Sequence, residues 1–359
     1  MIFVTKTFLP DLDEYISVLR KIWDTSQVTN RGPLVLKLEE KLKEYLQVNK
    51  ILLVSNGTIA LQIAIKALEL KGEIITTPFS YVATTSSIVW ENCKPVFVDI
   101  HPECLTIDEE KIEAAITKNT TAILATHVYG NPCNVEAIKN IAESYNLKVI
   151  YDAAHCFGVK YKNKSILEYG DVSTLSLHAT KLFHTGEGGA IICHSEELFH
   201  KIYYHHNFGH NGEEEFWGLG INGKMSELNV ALGLSVLPYM TEMINMRRKA
   251  VDLYKELLSN NESIRFLKIR DETEWNYSYF PIILSSEDQL LHIREILRKN
   301  NIFPRRYFYP SLNKLPYLTY QKMPHAEDIS RRILCLPLYH DVQNEVERIS
   351  DLILKNLSS

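Results

Sequence analysis

Asp171-Val-Ser-Thr-Leu-Ser-Leu-His-Ala-Thr-Lys-Leu-Phe-His-Thr-Gly-Glu-Gly-Gly-Ala190 is the stretch from which the rest of the chain is read. A mostly apolar, β-prone run leads to one lysine, Lys181. A glycine-rich turn and the strand-like run Ala190-Ile-Ile-Cys193 follow. A lysine at the edge of a core is costly to desolvate, so it either snorkels to water or has a task. Ser176 and Thr180 place hydroxyls nearby, and Gly186, Gly188 and Gly189 let backbone approach a neighbour closely. Desolvation lowers a lysine's pKa and makes it an amine nucleophile suited to a Schiff base.

Upstream of this stretch the chain alternates. Strand-like runs are Ile51–Val54, Ile74–Thr77, Pro95–Val98, Ala122–Ala125 and Lys148–Tyr151, with helical stretches at 57–70, 82–92, 108–117 and 135–145 between most of them. That period predicts a parallel or mostly parallel sheet covered on both faces, a three-layer α/β/α arrangement. Residues 10–24 and 34–45 carry apolar side chains at helical spacing, with the loop Thr29–Pro33 between them. Residues 195–207 read as a helix, and 211–223 as a polar, glycine-rich loop. A long helical stretch from Met225 to about Leu258 should kink or break near Pro238. A smaller α+β region follows, with strand-like runs at 277–284 and 333–338 and helices at 287–299 and 344–357. The expected division is a large α/β domain over 1–235, with an N-terminal helical segment, and a small C-terminal α+β domain over 236–359.

Ligands on such sheets sit beyond the carboxyl ends of the strands, so the residues just after each strand carry the argument. The first strand ends in Ser55-Asn-Gly-Thr58, a strand, glycine turn and helix start whose free amides and dipole suit an anion. A capped helix explains Gly57 equally well. The second ends in Thr77-Pro-Phe-Ser-Tyr-Val-Ala-Thr84, where Tyr81 is placed either to lie on a flat ligand or to fill the core. Asp152 follows the strand at 148–151, in Asp152-Ala-Ala-His155. An acid there needs a partner, which is a cap, an ion pair or the ring nitrogen of a pyridine cofactor. His155 either braces that acid or packs on the ring. Phosphate site, stacking aromatic, strand-end acid and lysine together make a set that could serve pyridoxal phosphate (PLP).

The composition bounds the alternatives. The 359 residues carry a net charge of −5, which gives no reason to expect nucleic acid or an anionic membrane as partner. No apolar run is long enough to span a bilayer, and the N-terminus is too interrupted for a signal peptide. The six cysteines are scattered with no Cys-x-x-Cys, so free thiols in the cytoplasm and no metal site are expected. The histidines of Tyr203–His210 do not face one way on a helix, which argues against a metal there too. Neither Gly-x-Gly-x-x-Gly nor a P-loop is present, which weakens a nicotinamide oxidoreductase reading.

On Ser55-Asn-Gly-Thr58, Asp152-Ala-Ala-His155 and above all Ser176-Leu-His-Ala-Thr-Lys-x4-Gly-Glu-Gly-Gly189, the chain resembles the DegT–StrS family of PLP-dependent sugar aminotransferases. That family has the aspartate aminotransferase fold. The resemblance runs from Gly32-Pro33 to Leu336-Pro337. It implies that Lys181 holds the cofactor and moves the proton, that Asp152 pairs the pyridine nitrogen, and that Tyr81 stacks on the ring. It further implies that His155 contacts the ring or its hydroxyl and that Gly57, Thr58 and Ser176 hold the phosphate. Asn222 is expected to reach the phosphate of a neighbouring subunit, making a homodimer with shared active sites. Arg31, Lys224, Tyr307 and Tyr309 are the substrate-binding candidates, although Lys224 stands where many relatives have arginine, and lysine is no equivalent for bidentate work. The implied partners are L-glutamate and a nucleotide-linked keto sugar, with the cofactor cycling through pyridoxamine phosphate (PMP). Val4–Pro10 and Asn222-Gly-Lys-Met225 look most like enzymes that form dTDP-4-amino-4,6-dideoxyglucose for surface polysaccharide. Amination at carbon 3, and GDP- or UDP-linked sugars, stay open. A sugar dehydratase of the same fold would replace Lys181 with histidine, and a silent regulatory relative would carry a basic DNA-binding extension. Local positive charge for two anionic substrates must come from residues such as Arg31, Lys224, Arg305 or Arg306.

Overall fold

The structure is a computed structural model and describes residues 1–357. Its centre is a seven-stranded sheet made of Ile51–Val54 (β1), Glu73–Thr76 (β2), Lys94–Phe97 (β3), Thr120–Thr126 (β4), Lys148–Asp152 (β5), Val172–Ser176 (β6) and Gly189–Cys193 (β7). The spatial order is β1-β7-β6-β5-β4-β2-β3. All neighbours pair in parallel except β7, which runs antiparallel to both β1 and β6. The sheet is therefore mixed but mostly parallel, as the βα period predicts.

Side-chain alternation explains why both faces are covered. Ile51, Leu53, Ile123, Ala125, Val149, Tyr151, Ala190 and Ile192 enter one apolar core. Leu52, Val54, Ala122, Leu124, Ile150, Ile191 and Cys193, their period-two neighbours, enter another on the opposite face. Helices Pro33–Leu46 and Glu227–Val236 cover the first face, with Leu38, Leu42 and Val230 in its core. Helix Gly57–Ala67 covers the second with Leu61, Ile63 and Ala64. The buried carboxylate of Glu227 accepts from the amides of Leu34 and Val35, both at 2.9 Å, and so caps the helix that starts at Pro33.

A smaller three-stranded antiparallel sheet, Ile264–Phe266 (β8), Phe280–Leu284 (β9) and Ile333–Leu336 (β10), has its own core with Val251, Tyr254, Leu290, Ile293 and Ile353. Helix Met240–Leu258 spans both units, since Met240 and Met243 pack in the large core and Ala250 onward in the small one. Pro238 separates it from Glu227–Val236 through the short turn Leu237–Tyr239, because proline has no amide to continue the ladder. The N-terminus returns to the small unit: Ile2–Phe3 pairs in parallel with Ile302–Phe303, so the first residues lie across the boundary expected at 235.

The helix expected over 108–117 is reduced to a short turn, Glu109–Lys111, and Ile112–Ala115. Hydroxyls end it. Thr120 Oγ1 accepts from the amide of Thr117, and Thr117 Oγ1 donates to Glu73, so the backbone turns into β4 instead. All six cysteines are free and buried. Among the described residues no helix is long and apolar enough to cross a membrane, and no group of three or more His, Cys, Asp or Glu is placed to hold a metal.

Candidate active site

The carboxyl ends of β1, β2, β4, β5 and β6 open onto one cavity of about 260 Å³. Asn56, Gly57 and Thr58 come from the turn after β1, Ser80 and Tyr81 from the loop after β2, Thr126 from β4, Asp152 and His155 from β5, and Ser176 from β6. Lys181 enters from the turn between β6 and β7. The small unit closes the other side with Tyr279, Arg305, Tyr307 and Phe308.

Register fixes the lysine turn. Ser176 pairs with Gly189 at the end of the β6–β7 ladder, and the amide of Leu177 then donates to Gly188 O and that of Ala179 to Gly186 O. A side chain at Gly189 would put a Cβ 2.5 Å from the carbonyl carbon of Asn56, so that position needs glycine for close approach. From the far side, Thr7 Oγ1 donates to Ala179 O at 2.9 Å, and His184 Nε2 donates to Phe8 O. Lys181 itself makes no side-chain hydrogen bond or ion pair among the described residues, and its amine opens into the cavity. Burial pushes its pKa down from 10.5 to about 8, with Asp152 opposing the shift.

Asp152 is buried. Its Oδ2 accepts from Thr84 Oγ1 at 2.6 Å and its Oδ1 from the amide of Ala154 at 3.1 Å. Burial raises its pKa, and those two donors and then Lys181 pull it back. No cation lies within 4 Å of it among the described residues. A carboxylate held this way is completed by a protonated ring nitrogen. His155 Nδ1 accepts from the amide of Tyr129 at 3.0 Å, which leaves the proton on Nε2, and burial holds its pKa well below the usual value. Its ring lies parallel to that of Phe308, 5.9 Å away.

At β1 the Asn56 side chain accepts from the amide of Ile59 at 2.9 Å. The amides of Gly57 and Thr58 have no partner among the described residues, so the first turn of the helix is left to an anion. The backbone of Gly57 lies so near Ser176 that a Cβ would meet Ser176 Cβ at 2.9 Å. Tyr81, 54% exposed, stands at the cavity rim. An anion cradle, a buried unpaired carboxylate, an exposed ring and an unpaired amine thus surround one small space, and PLP fits that set of donors.

Lys181, Gly57, Thr58, Tyr81, Asp152, His155, Ser176 and Tyr307 are brought together as the sequence predicts. Arg31, Lys224 and Tyr309 are not brought to this cavity. Arg31 is paired with the buried Glu39 at 2.6 Å. Lys224 Nζ sits 4.4 Å from the centre of the Phe208 ring. The Tyr309 ring packs against the Arg306 guanidinium, 3.6 Å away, and Arg306 is in turn paired with Glu287. Asn222 is exposed, bridges to Asn207 and also lies outside the cavity. Arg305 does line it, with no carboxylate within 4 Å among the described residues. Ser80, Thr84, Thr126, Tyr279 and Phe308 belong to no motif in the sequence and come to the site or beside it only through the fold. The signal for the first three was hydroxyls clustered at two strand ends. A larger recess of about 890 Å³ lies between the helix Gly57–Ala67 and Trp217. Two of its lysines are already paired, Lys66 with Glu91 and Lys201 with Glu69, so size alone does not make it a site.

Fold and cavity define an enzyme of the PLP-dependent aminotransferase class, with its lysine on the β6–β7 turn and its acid at the end of β5. The chain belongs to the DegT/DnrJ/EryC1/StrS aminotransferase family, whose model matches residues 11–353. It is 46% identical to a dTDP-4-amino-4,6-dideoxy-D-glucose transaminase of Shigella dysenteriae, over 96% of each chain. Among solved structures, DesI in the presence of its TDP-sugar product superposes with a TM-score of 0.94 at 28% identity, covering 99% of this chain and 93% of that one. NtdA of Bacillus subtilis with bound PMP superposes with a TM-score of 0.88 at 27% identity, covering 97% and 82%.

Proposed function

We propose that this protein transfers an amino group from L-glutamate to the keto carbon of dTDP-4-keto-6-deoxyglucose, giving dTDP-4-amino-4,6-dideoxyglucose. The convergence of an unpaired Lys181 amine with the buried Asp152 carboxylate carries the reaction type. Identity to the Shigella transaminase supports the choice of sugar.

In this reading the amides of Gly57 and Thr58, with the hydroxyls of Thr58 and Ser176, hold the cofactor phosphate. Asp152 faces the ring nitrogen, Tyr81 covers a ring face and His155 contacts the ring or its hydroxyl. When bound, PLP supplies an electron sink for the carbon that loses its proton. Lys181 Nζ, neutral above about pH 8, takes that proton from the substrate carbon and returns one to complete the transfer. Arg305, which lines the cavity with no carboxylate within 4 Å among the described residues, draws in the glutamate carboxylate and the sugar pyrophosphate in turn. The sheet unit, residues 1–235 apart from the N-terminal strand Ile2–Phe3, binds the cofactor, and the unit after it closes the site and excludes water. A second copy covers the exposed Phe216, Trp217 and Leu219, and Asn222 reaches across to the partner's phosphate. Six unpaired cysteines suit a reducing cytoplasm.

Incubation with L-glutamate and a panel of dTDP-, GDP- and UDP-linked 4-keto and 3-keto sugars, with product structures read by NMR, tests this. Ping-pong kinetics with the dTDP-4-keto sugar are expected. The free sugar should be far poorer in kcat/KM, because the nucleotide's binding energy positions the carbon. Efficient amination of a free keto acid with no reaction of any nucleotide sugar would refute the sugar assignment.

A further inference from the structure

Asp152 is approached by more than its own neighbours. Thr126 Oγ1, at the end of β4, donates to Ser80 Oγ at 3.1 Å. Ser80 Oγ lies 2.7 Å from Thr84 Oγ1, and Thr84 Oγ1 donates to Asp152 Oδ2 at 2.6 Å. All four residues are buried. The direction of the middle bond follows from counting protons. A hydroxyl has one hydrogen to give, and the ionised carboxylate can only accept. Thr84 spends its hydrogen on Asp152, so Ser80 must donate to Thr84, and Thr126 donates to Ser80. Every O–H in the chain points toward the carboxylate.

Aligned donors of this kind polarise one another, and the effect is greatest where water is excluded. The same enclosure penalises the charge on Asp152, so the carboxylate depends on the donors it has. Among the described residues, the Ala154 amide is the one donor to it besides Thr84.

We propose that Thr84, backed by Ser80 and Thr126, is a positioning residue that keeps Asp152 ionised and aimed into the cavity, and thereby sets the protonation of the cofactor's ring nitrogen. The three hydroxyls act through Asp152 and do not touch the reacting atoms. The inference rests on the reading of Asp152 as the partner of that nitrogen.

The test uses holoenzyme loaded with cofactor labelled with ¹⁵N in the ring, whose chemical shift reports whether the nitrogen carries a proton. Thr84→Val removes the hydroxyl at nearly constant volume, and Thr84→Ser retains it. Thr84→Val should move the shift toward that of an unprotonated pyridine and lower kcat about tenfold or more, the size expected for loss of a hydrogen bond to a charged group. Thr84→Ser should restore both, and neither variant should alter the shape of the thermal unfolding transition. A wild-type ¹⁵N shift in folded Thr84→Val overturns the proposal. Should Thr84→Val not fold, Ser80→Ala removes the donor to Thr84 and should move the shift the same way by less, and no movement there overturns it equally. Asp152→Asn separates the two levels. If it leaves the ¹⁵N shift unchanged, the pairing of Asp152 with the ring fails and the hydroxyl proposal fails with it. If it moves the shift while Thr84→Val and Ser80→Ala do not, only the hydroxyl chain is refuted.

Discussion

The reactivity of Lys181 in the apoenzyme follows from burial and an opposing carboxylate, and the carboxylate can be neutralised alone. Burial disfavours the ammonium and brings the amine from 10.5 to about 8. A free lysine at neutral pH is almost wholly protonated, so a drop of that size makes the neutral amine on the order of 300-fold more abundant. Asp152 works the other way, because a nearby negative charge favours the ammonium. Asp152→Asn should therefore lower the Lys181 midpoint further, to below about 8. The assay is trace labelling of apoenzyme with trinitrobenzenesulfonate across a pH series, with the Lys181 peptide quantified by mass spectrometry against exposed lysines such as Lys94. The reagent reacts only with the neutral amine. The wild-type profile for Lys181 should rise to its plateau with a midpoint near 8, and the variant's profile should lie at lower pH. A wild-type midpoint at the ordinary lysine value, or an upward move in Asp152→Asn, would refute the account of an amine tuned by burial against one carboxylate.

Borohydride reduction of the holoenzyme should fix the pyridoxyl group on Lys181 by peptide mapping, and recovery on Lys160 or Lys224 would overturn the site. Gly189→Ala should cost about 1–3 kcal/mol in denaturant unfolding, because the added carbon meets the Asn56 carbonyl carbon at 2.5 Å and the β1–β7 pairing must give. Arg305→Gln should raise KM for both substrates with folding unchanged, while Arg306→Gln, whose partner is Glu287, should affect stability before KM. Mixed dimers of Lys181→Ala and Asn222→Ala subunits should regain activity, since one hybrid site keeps both residues, and no recovery in demonstrated heterodimers would argue for self-contained sites.

Much of this was legible in the chain because it is encoded locally. Strand-like runs between helical stretches set the order of layers, Pro238 set the break between two helices, and Ser176 to Gly189 carried the lysine and the glycines its turn needs. The acid at the end of β5 and the turn after β1 could be placed by rule, since ligands gather where parallel strands end. What the sequence could not determine depends on side chains that meet from distant segments. Arg31 and Arg305 look alike as cations in loops, yet burial beside Glu39 neutralises the first and leaves the second facing the cavity. Thr84 reads as a hydroxyl in the first turn of a helix until packing brings it 2.6 Å from a carboxylate 68 positions away. Ile2–Phe3 shows no sign of belonging to a strand at 302–303, because a two-residue parallel pairing has no periodicity to detect. Local pattern specifies which elements form and in what order, but charge compensation and hydroxyl direction are fixed only when the tertiary fold removes water from between them.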